Sequence, residues 1–129
     1  MSAKKSFNAV GVPRLNSVIP QAVIADGFIF LSGTAGMDPA TGKLIEGGFE
    51  EQAYQSFRNI KIILEEAGSS MDKVVKTTLF MVAGADPAFE VINKVYSEFF
   101  PDNPPARSAP QLMPFPGPIL ISVECIALV

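Results

Sequence analysis

The chain has 129 residues, 48% of them hydrophobic and 18% charged, which fits one globular domain over residues 1–129 and excludes a disordered chain. The net charge of −3 argues against a nucleic-acid-binding surface, and the lack of histidine excludes Ser-His-Asp catalysis, Cys-His catalysis and histidine-ligated metals. The single cysteine, Cys125, allows no internal disulfide. We recognise no secretory signal and no membrane-spanning tract, and we expect a cytoplasmic protein.

The N-terminal part of the chain predicts a β-hairpin. Two short apolar strands, residues 23–25 and 28–31, flank Asp26-Gly27, a dipeptide typical of two-residue hairpin turns. Ser32-Gly33 is expected to end the second strand. Residues 34–48, rich in Gly, Pro, Thr and Asp, are expected to form a long loop or a second turn.

The middle of the chain predicts two helices around one strand. Residues 49–67 carry apolar side chains at steps of three and four, and Gly68 is a natural end for that helix. Residues 74–82 are β-branched and typical of a strand. Asp86-Pro87 suits the N-cap and first turn of a second helix. Its apolar stripe comprises Phe89, Ile92, Tyr96 and Phe99, and Pro101 ends it.

Residues 107–115 and 119–128 are the last predicted strands, joined by Pro116-Gly117-Pro118. The order is therefore ββαβαββ, an α+β fold with two helices for about five strands. The strand at 74–82 and the last strand are apolar on both faces, yet two helices can cover only one face of a sheet. We expect an obligate homo-oligomer in which sheets pack on sheets.

Arg107 stands alone in the stretch NPPARSAP, with Asp102 as its nearest charged neighbour in sequence. Its guanidinium suits either a structural clamp on a carboxylate or helix terminus, or a bidentate anchor for a substrate carboxylate. Glu124 shares a strand face with apolar residues and needs a partner or a polar cleft. Glu124 has two interpretations. In the structural one it is a carboxylate at the end of the sheet or forms an ion pair with Arg107. In the functional one it positions a water molecule.

Other chemical groups in the sequence have simpler interpretations. Residues 33–44 lack the glycine spacing and the Ser or Thr after lysine that a phosphate loop needs, so nucleotide binding is rejected. Lys76 is expected at the rim of the sheet, with a Schiff-base lysine as the weaker alternative. Cys125 is expected in the core, and Asn93 on a helix surface.

Six stretches, taken together, resemble the Rid/YjgF family of reactive-intermediate imine and enamine deaminases, also called the endoribonuclease L-PSP family. They are FIFLSG at 28–33, DPATGKL at 38–44, LEEAGSSMDKVVKTTLFM at 64–81, FEVINKVYSEFF at 89–100, PPARSA at 104–109 and ISVECIAL at 121–128. The resemblance runs over roughly residues 18–128, and it lies in the order and spacing of the stretches rather than in any single motif.

The resemblance implies a chorismate-mutase-like mixed sheet with two helices on one face, assembled as a homotrimer with clefts between subunits. It also implies hydrolysis of 2-imino or 2-enamino acids to 2-keto acids and ammonia, with a small carboxylate-bearing substrate. No metal, no organic cofactor, no nucleic acid and no membrane is implied. A non-catalytic trimer that binds or senses a small metabolite is the alternative, and ribonuclease activity is disfavoured by the acidic charge.

The resemblance also implies roles for particular residues. Arg107 would grip the substrate carboxylate, and Glu124 would orient the attacking water. Gly33 and the backbone of Ala109 would border the ligand. Asn93 would lie in the cleft. Two positions depart from the best-known deaminases: Ile19 replaces a tyrosine and Ala109 a cysteine, so we expect a more apolar pocket and a bulkier or more apolar substrate.

Overall fold

The computed structural model describes residues 3–129, which form one mixed β-sheet and two α-helices. In chain order the elements are β1 (Lys5–Phe7), β2 (Ala22–Ala25), β3 (Phe28–Thr34), α1 (Phe49–Glu66), a 3-10 turn (Met71–Lys73), β4 (Val74–Val82), α2 (Glu90–Phe99), β5 (Ala106–Ser108), β6 (Gln111–Leu112) and β7 (Ile121–Leu128).

The strands lie in the order β1-β2-β3-β7-β4-β5, and β6 also pairs with β4. Pairs in the body of the sheet are antiparallel, whereas β5 and β6 run parallel to β4. The α+β class and the two helices are confirmed, but the sheet has seven strands rather than five. Strand β1 was not predicted, because Lys5–Phe7 has no run of apolar or β-branched residues.

The predicted strand over residues 107–115 is wrong in its extent. The chain forms β5 and β6 instead, separated by Ala109 and Pro110, and residues 113–115 lie outside the sheet. Pro110 has no N–H to donate, so the ladder along β4 is interrupted there, while its carbonyl still accepts a bond from Met81 N–H at 3.2 Å. The last strand begins at Ile121 rather than at residue 119.

The predicted hairpin and first helix are confirmed. Asp26 and Gly27 both have positive φ, 51° and 82°, as a tight hairpin turn between β2 and β3 requires. Helix α1 buries its apolar stripe, including Phe57 and Leu64. It ends before Gly68, whose φ of 87° is costly for residues with a side chain.

Helix α2 starts later than the sequence predicts. Asp86 does not occupy the N-cap position; its carboxylate reaches over a turn and accepts the Ile92 N–H at 2.8 Å. The N-cap residue is Phe89, with a φ of 59°. Pro87 therefore belongs to the preceding turn, and Asp86 satisfies the helix N-terminus from outside the helix.

Both helices pack on one face of the sheet, as predicted. That face contains the alternate residues Thr77, Leu79, Met81, Ile121, Val123, Cys125 and Ala127, all buried. The opposite face, called the open face below, includes Phe28, Phe30, Lys76, Thr78, Phe80, Ser122, Glu124, Ile126 and Leu128. Phe28, Phe30 and Leu128 are 37%, 42% and 44% exposed there. No helix within residues 3–129 has the length and apolarity to cross a membrane.

Candidate active site

Arg107 lies on the short strand β5, at the edge of the sheet, with its side chain against α2. Its Nη1 donates a hydrogen bond to Asn93 Oδ1 at 2.9 Å, and its Cζ lies 4.9 Å from the centre of the Tyr96 ring. Asn93 and Tyr96 are one helical turn apart on α2, so a single helix face holds the guanidinium on two sides. One amide oxygen and one ring leave most of the five N–H donors of Arg107 available to an anion.

Tyr96 is itself fixed. Its hydroxyl lies 2.7 Å from Thr77 Oγ1 in a buried hydrogen bond, and its ring packs between Phe57 and Phe100. Burial raises the pKa of Tyr96 above the ordinary value of a phenol, although the Thr77 hydrogen bond and the charge of Arg107 act in the opposite direction. The phenol therefore remains neutral at physiological pH and does not form an ion pair with Arg107.

Glu124 lies on the open face, in the middle of β7. It stands opposite Thr78 of β4 and borders a cavity of about 260 Å³ that Phe30, Lys76 and Ile126 also line. Lys76 Nζ donates to Ser108 Oγ at 2.8 Å, which places an ammonium group at the rim of the same cavity. The cavity combines a carboxylate, a cation and apolar walls on a face that the helices leave uncovered.

Arg107 and Glu124 lie on opposite faces of the sheet. Arg107 is level with Thr77, on the helix-covered face, whereas Glu124 is opposite Thr78, the next residue of the same strand. Within residues 3–129 no carboxylate is close enough to Arg107 to form an ion pair, so the structural pairing with Glu124 does not occur inside one chain. Within one subunit the two side chains therefore leave the sheet in opposite directions.

Gly33 lies in a β-bulge beside Glu124. Leu31 pairs with Cys125 and Thr34 with Val123, so two residues of β3, Ser32 and Gly33, stand where β7 has only Glu124. A Cβ on Gly33 would come within 2.7 Å of Ser122 Oγ. The strand therefore continues past Gly33, where the sequence analysis expected it to end, and its backbone is exposed next to the carboxylate.

Ile19 and Gly33 line a second cavity, of about 270 Å³, between the N-terminal segment, β3 and α1. Its walls are mainly apolar and include Val12, Leu15, Met37 and Ile63. The buried amide of Asn59 also borders it, but that amide donates to Met37 O at 2.8 Å. Ile19 is 51% exposed at the mouth. Ile19 thus lies beside a mainly apolar cavity, and its place in a substrate pocket stays a prediction.

Ala109 sits between β5 and β6, half-buried and packed against the core. It is two residues from Arg107, so its backbone is near the guanidinium in sequence but outside both cavities. The structure thus places the predicted site residues in two groups. Arg107 and Asn93 form the first group. The second is centred on Gly33, which has Ile19 on one side and Glu124 on the other. The structure does not unite the two groups within one chain.

Two contacts were not predicted from the sequence, that of Tyr96 with Arg107 and that of Lys76 with the cavity beside Glu124. The three-residue spacing of Asn93 and Tyr96 on one helix face could have indicated the contact of Tyr96. Cys125 is confirmed as a core residue, 3% exposed, and burial raises its pKa to about 12. Within residues 3–129 no three Cys, Asp or Glu side chains form a cluster that could hold a metal ion.

The fold and site define a small two-layer α+β protein with an arginine held by a helix at the edge of its sheet. The family model described as Endoribonuclease L-PSP matches residues 15–129. The human 2-iminobutanoate/2-iminopropanoate deaminase is 40% identical over 108 residues, 84% of this chain and 77% of that protein. A RutC family protein of Pyrococcus abyssi is 42% identical, with 97% of each chain aligned.

Solved structures of similar proteins indicate the same family. RidA from the Antarctic bacterium Psychrobacter sp. has a TM-score of 0.89 at 34% identity, over 97% of this chain and 99% of that one. E. coli TdcF, solved with bound serine, has a TM-score of 0.87 at 30% identity, over 97% and 98% of the two chains. The chain therefore belongs to the Rid/YjgF family, as its sequence motifs suggested.

Proposed function

We propose that the protein is an imine deaminase that hydrolyses 2-imino and 2-enamino acids to 2-keto acids and ammonia. The observation that carries the proposal is the Arg107 guanidinium, held by Asn93 and Tyr96 with several donors free. The relatives named as 2-iminobutanoate/2-iminopropanoate deaminases support the reaction, and the serine bound to E. coli TdcF supports a small ligand with a carboxylate.

The chemistry requires only an anchor and a proton path. Arg107 would hold the substrate carboxylate in bidentate fashion, which fixes the neighbouring C=N carbon. A water molecule adds to that carbon, and Glu124 accepts a proton from the water. The nitrogen takes up a proton. The resulting carbinolamine breaks its C–N bond, releasing ammonia and leaving the keto group. The residues suit a reaction in which an already electrophilic iminium needs little activation.

We further propose that each site forms between two copies of the chain, in a homotrimer with three equivalent clefts. The placement of Arg107 and Glu124 on opposite faces supports a shared site, because a neighbouring subunit could bring a second carboxylate to the arginine of the first. The exposed aromatic and aliphatic side chains of the open face supply the apolar surface that such an assembly would bury. Sedimentation as a monodisperse monomer at micromolar concentration would contradict this assembly.

The pocket favours a substrate with an apolar side chain. Ile19 and Ala109 offer no hydroxyl or thiol to the ligand, and the cavity beside Ile19 is mainly apolar. A panel of 2-imino acids of increasing side-chain size, followed by keto-acid release, measures this preference. The same lack of polar groups favours the alternative of a binding or sensing protein. Calorimetric binding of 2-keto acids without faster imine hydrolysis would select that alternative.

The carboxylate anchor is tested by Arg107→Ala. We expect kcat/KM for 2-imino acids to fall by roughly a hundred-fold or more, since charge-assisted hydrogen bonds to the substrate are lost. The assay couples an amino-acid oxidase to this protein and records keto-acid release. Arg58→Ala is the control, because Arg58 is exposed and, like Arg107, places its Cζ over a tyrosine ring, that of Tyr54 at 5.3 Å. Full activity of Arg107→Ala would disprove the assignment, and loss of assembly would favour a structural role.

A reducing compartment such as the cytosol remains our proposal for location. The only cysteine, Cys125, is a buried thiol with a raised pKa, so nothing in its chemistry requires an oxidising environment. Imaging of a fluorescent fusion would test it.

A further inference from the structure

We infer that Tyr96 is a positioning residue for the carboxylate anchor: its ring, fixed by Thr77, holds the Arg107 guanidinium in a ligand-ready orientation before substrate arrives. This inference rests on the proposed role of Arg107. It gives a functional role to an aromatic residue whose place in the apolar stripe of α2 would by itself indicate only core packing.

The contacts form a closed loop around Arg107. The backbone of Arg107 lies alongside Thr77 in the parallel pairing of β5 with β4. The Thr77 hydroxyl bonds to the Tyr96 hydroxyl at 2.7 Å, and the Tyr96 ring lies 4.9 Å below the Arg107 Cζ. The same strand residue therefore fixes both the backbone of the arginine and the ring under its side chain.

Tyr96 is held more tightly than Arg107 is. The Tyr96 side chain is 7% exposed and packed edge-on against Phe57, whereas Arg107 is only half-buried on a three-residue edge strand. An arginine on such a strand would otherwise sample many rotamers, and freezing them on binding would weaken affinity. The ring face gives the cation an attractive surface, and Asn93 Oδ1 sets the rotation of the guanidinium plane about it.

The contact with Tyr96 also leaves no competing anion beside the guanidinium. A ring attracts the cation through its π face, while carboxylates bind through paired N–H donors. Tyr96 therefore holds the cation without placing a carboxylate oxygen on the donors that a ligand uses. An acidic residue in place of Tyr96 would hold the same cation but would compete with the substrate.

The test compares Tyr96→Leu, Tyr96→Phe and Phe100→Leu. Phe100 is the matched control, since it belongs to the same buried aromatic cluster as Tyr96 and is equally exposed at 7%. We expect Tyr96→Leu to raise KM, and the calorimetric Kd for a 2-keto acid such as pyruvate, roughly ten-fold relative to Phe100→Leu. We expect kcat to change much less. Tyr96→Phe keeps the ring and should restore most of the affinity.

Equal KM and Kd values in Tyr96→Leu and Phe100→Leu would overturn the inference. If Tyr96→Leu does not fold, the unliganded parent protein provides the test. The NMR order parameter of the Arg107 Nε–Hε group should be that of a fixed side chain, and the order parameter of a freely mobile side chain would overturn the inference. Failure of the proposed function is distinguishable, because then Arg107→Ala itself would bind the keto acid as tightly as the parent.

Discussion

Gly33 has an unusual position, since its backbone is exposed in a bulge next to Glu124 while the space for a side chain is already filled. Gly33→Ala would place a Cβ 2.7 Å from Ser122 Oγ, closer than real Cβ atoms approach. We expect a loss of at most about 1 kcal/mol in the free energy of unfolding, because the Ser122 hydroxyl can turn to another rotamer to make room. Chemical denaturation measures it, alongside imine hydrolysis.

The double variant Gly33→Ala/Ser122→Ala separates packing from function. Removing the hydroxyl leaves Ser122 Cβ, which is 3.9 Å from the added Cβ, an ordinary contact. We expect stability to recover while activity stays low, because the new methyl group occupies the rim beside Glu124. Recovery of both stability and activity would mean that Gly33 serves packing alone.

The candidate residues themselves were predictable, but their grouping was not. The isolation of Arg107 in a proline-rich stretch indicated an anchor, and its chemistry limited the partners to carboxylates or ligands. Its actual neighbours, Asn93 and Tyr96, come from the preceding helix α2, and local patterns do not show which face of that helix meets the arginine. Only the pairing of β4 with β5 and β7 places Arg107 and Glu124 on opposite faces, and strand pairing depends on long-range contacts that local patterns do not specify.

At the scale of elements, helix α1 depends on one carboxylate at its start. Glu51 Oε1 accepts the Gly48 N–H at 2.7 Å, and the Gly48 backbone lowers the pKa of Glu51 below its ordinary 4.5. A lowered pKa means that the charged form is favoured in the folded state. Its stabilising effect is complete above the ordinary pKa and disappears as the pH falls through the lowered pKa.

Glu51→Ala should therefore lower the melting temperature at about pH 7 and have little effect at about pH 2, where the parent has lost the same interaction. Differential scanning calorimetry over this range measures the difference. Glu46→Ala is the control, since Glu46 is exposed and in the adjoining loop. An effect of Glu51→Ala that does not change with pH would show that the charge contributes nothing.

Element types followed from the sequence where a strong local pattern existed, as for the hairpin at Asp26-Gly27 and the strand Val74–Val82. The predicted ends of helices and strands were wrong where tertiary contacts determine them. Asp86 caps α2 across a turn because its buried carboxylate reaches the Ile92 N–H, a contact between residues six apart. The strand through Arg107 ends at Ser108, because Pro110 interrupts the ladder along β4.

At the scale of the whole molecule, we expect the open face to form the interface of the proposed homotrimer. Phe28 and Leu128 are neighbours there, and they remain 37% and 44% exposed in the single chain. Leu128→Glu should leave the isolated chain folded, since the new carboxylate is solvated, but it should dissociate the oligomer, because burying an unpaired charge at an interface costs several kcal/mol. Sedimentation velocity and circular dichroism together measure both results.

Ala40→Glu is the control for that experiment, because it adds the same charge to an exposed turn in the loop after β3. An unchanged oligomer in Leu128→Glu would mean that the assembly uses another surface. A variant that loses both its oligomer and its secondary structure would indicate that the subunit does not fold alone.

The proposed sharing of each site between two subunits, one giving Arg107 and the other Glu124, has a genetic consequence. Two null alleles, one encoding Arg107→Ala and the other Glu124→Gln, should complement each other when co-expressed, because a mixed ring has one junction where the intact arginine of one subunit meets the intact glutamate of its neighbour. Random mixing in a ring of three would restore roughly a quarter of the parental sites. Either allele alone would stay inactive, and a site built within one chain would show no complementation at all.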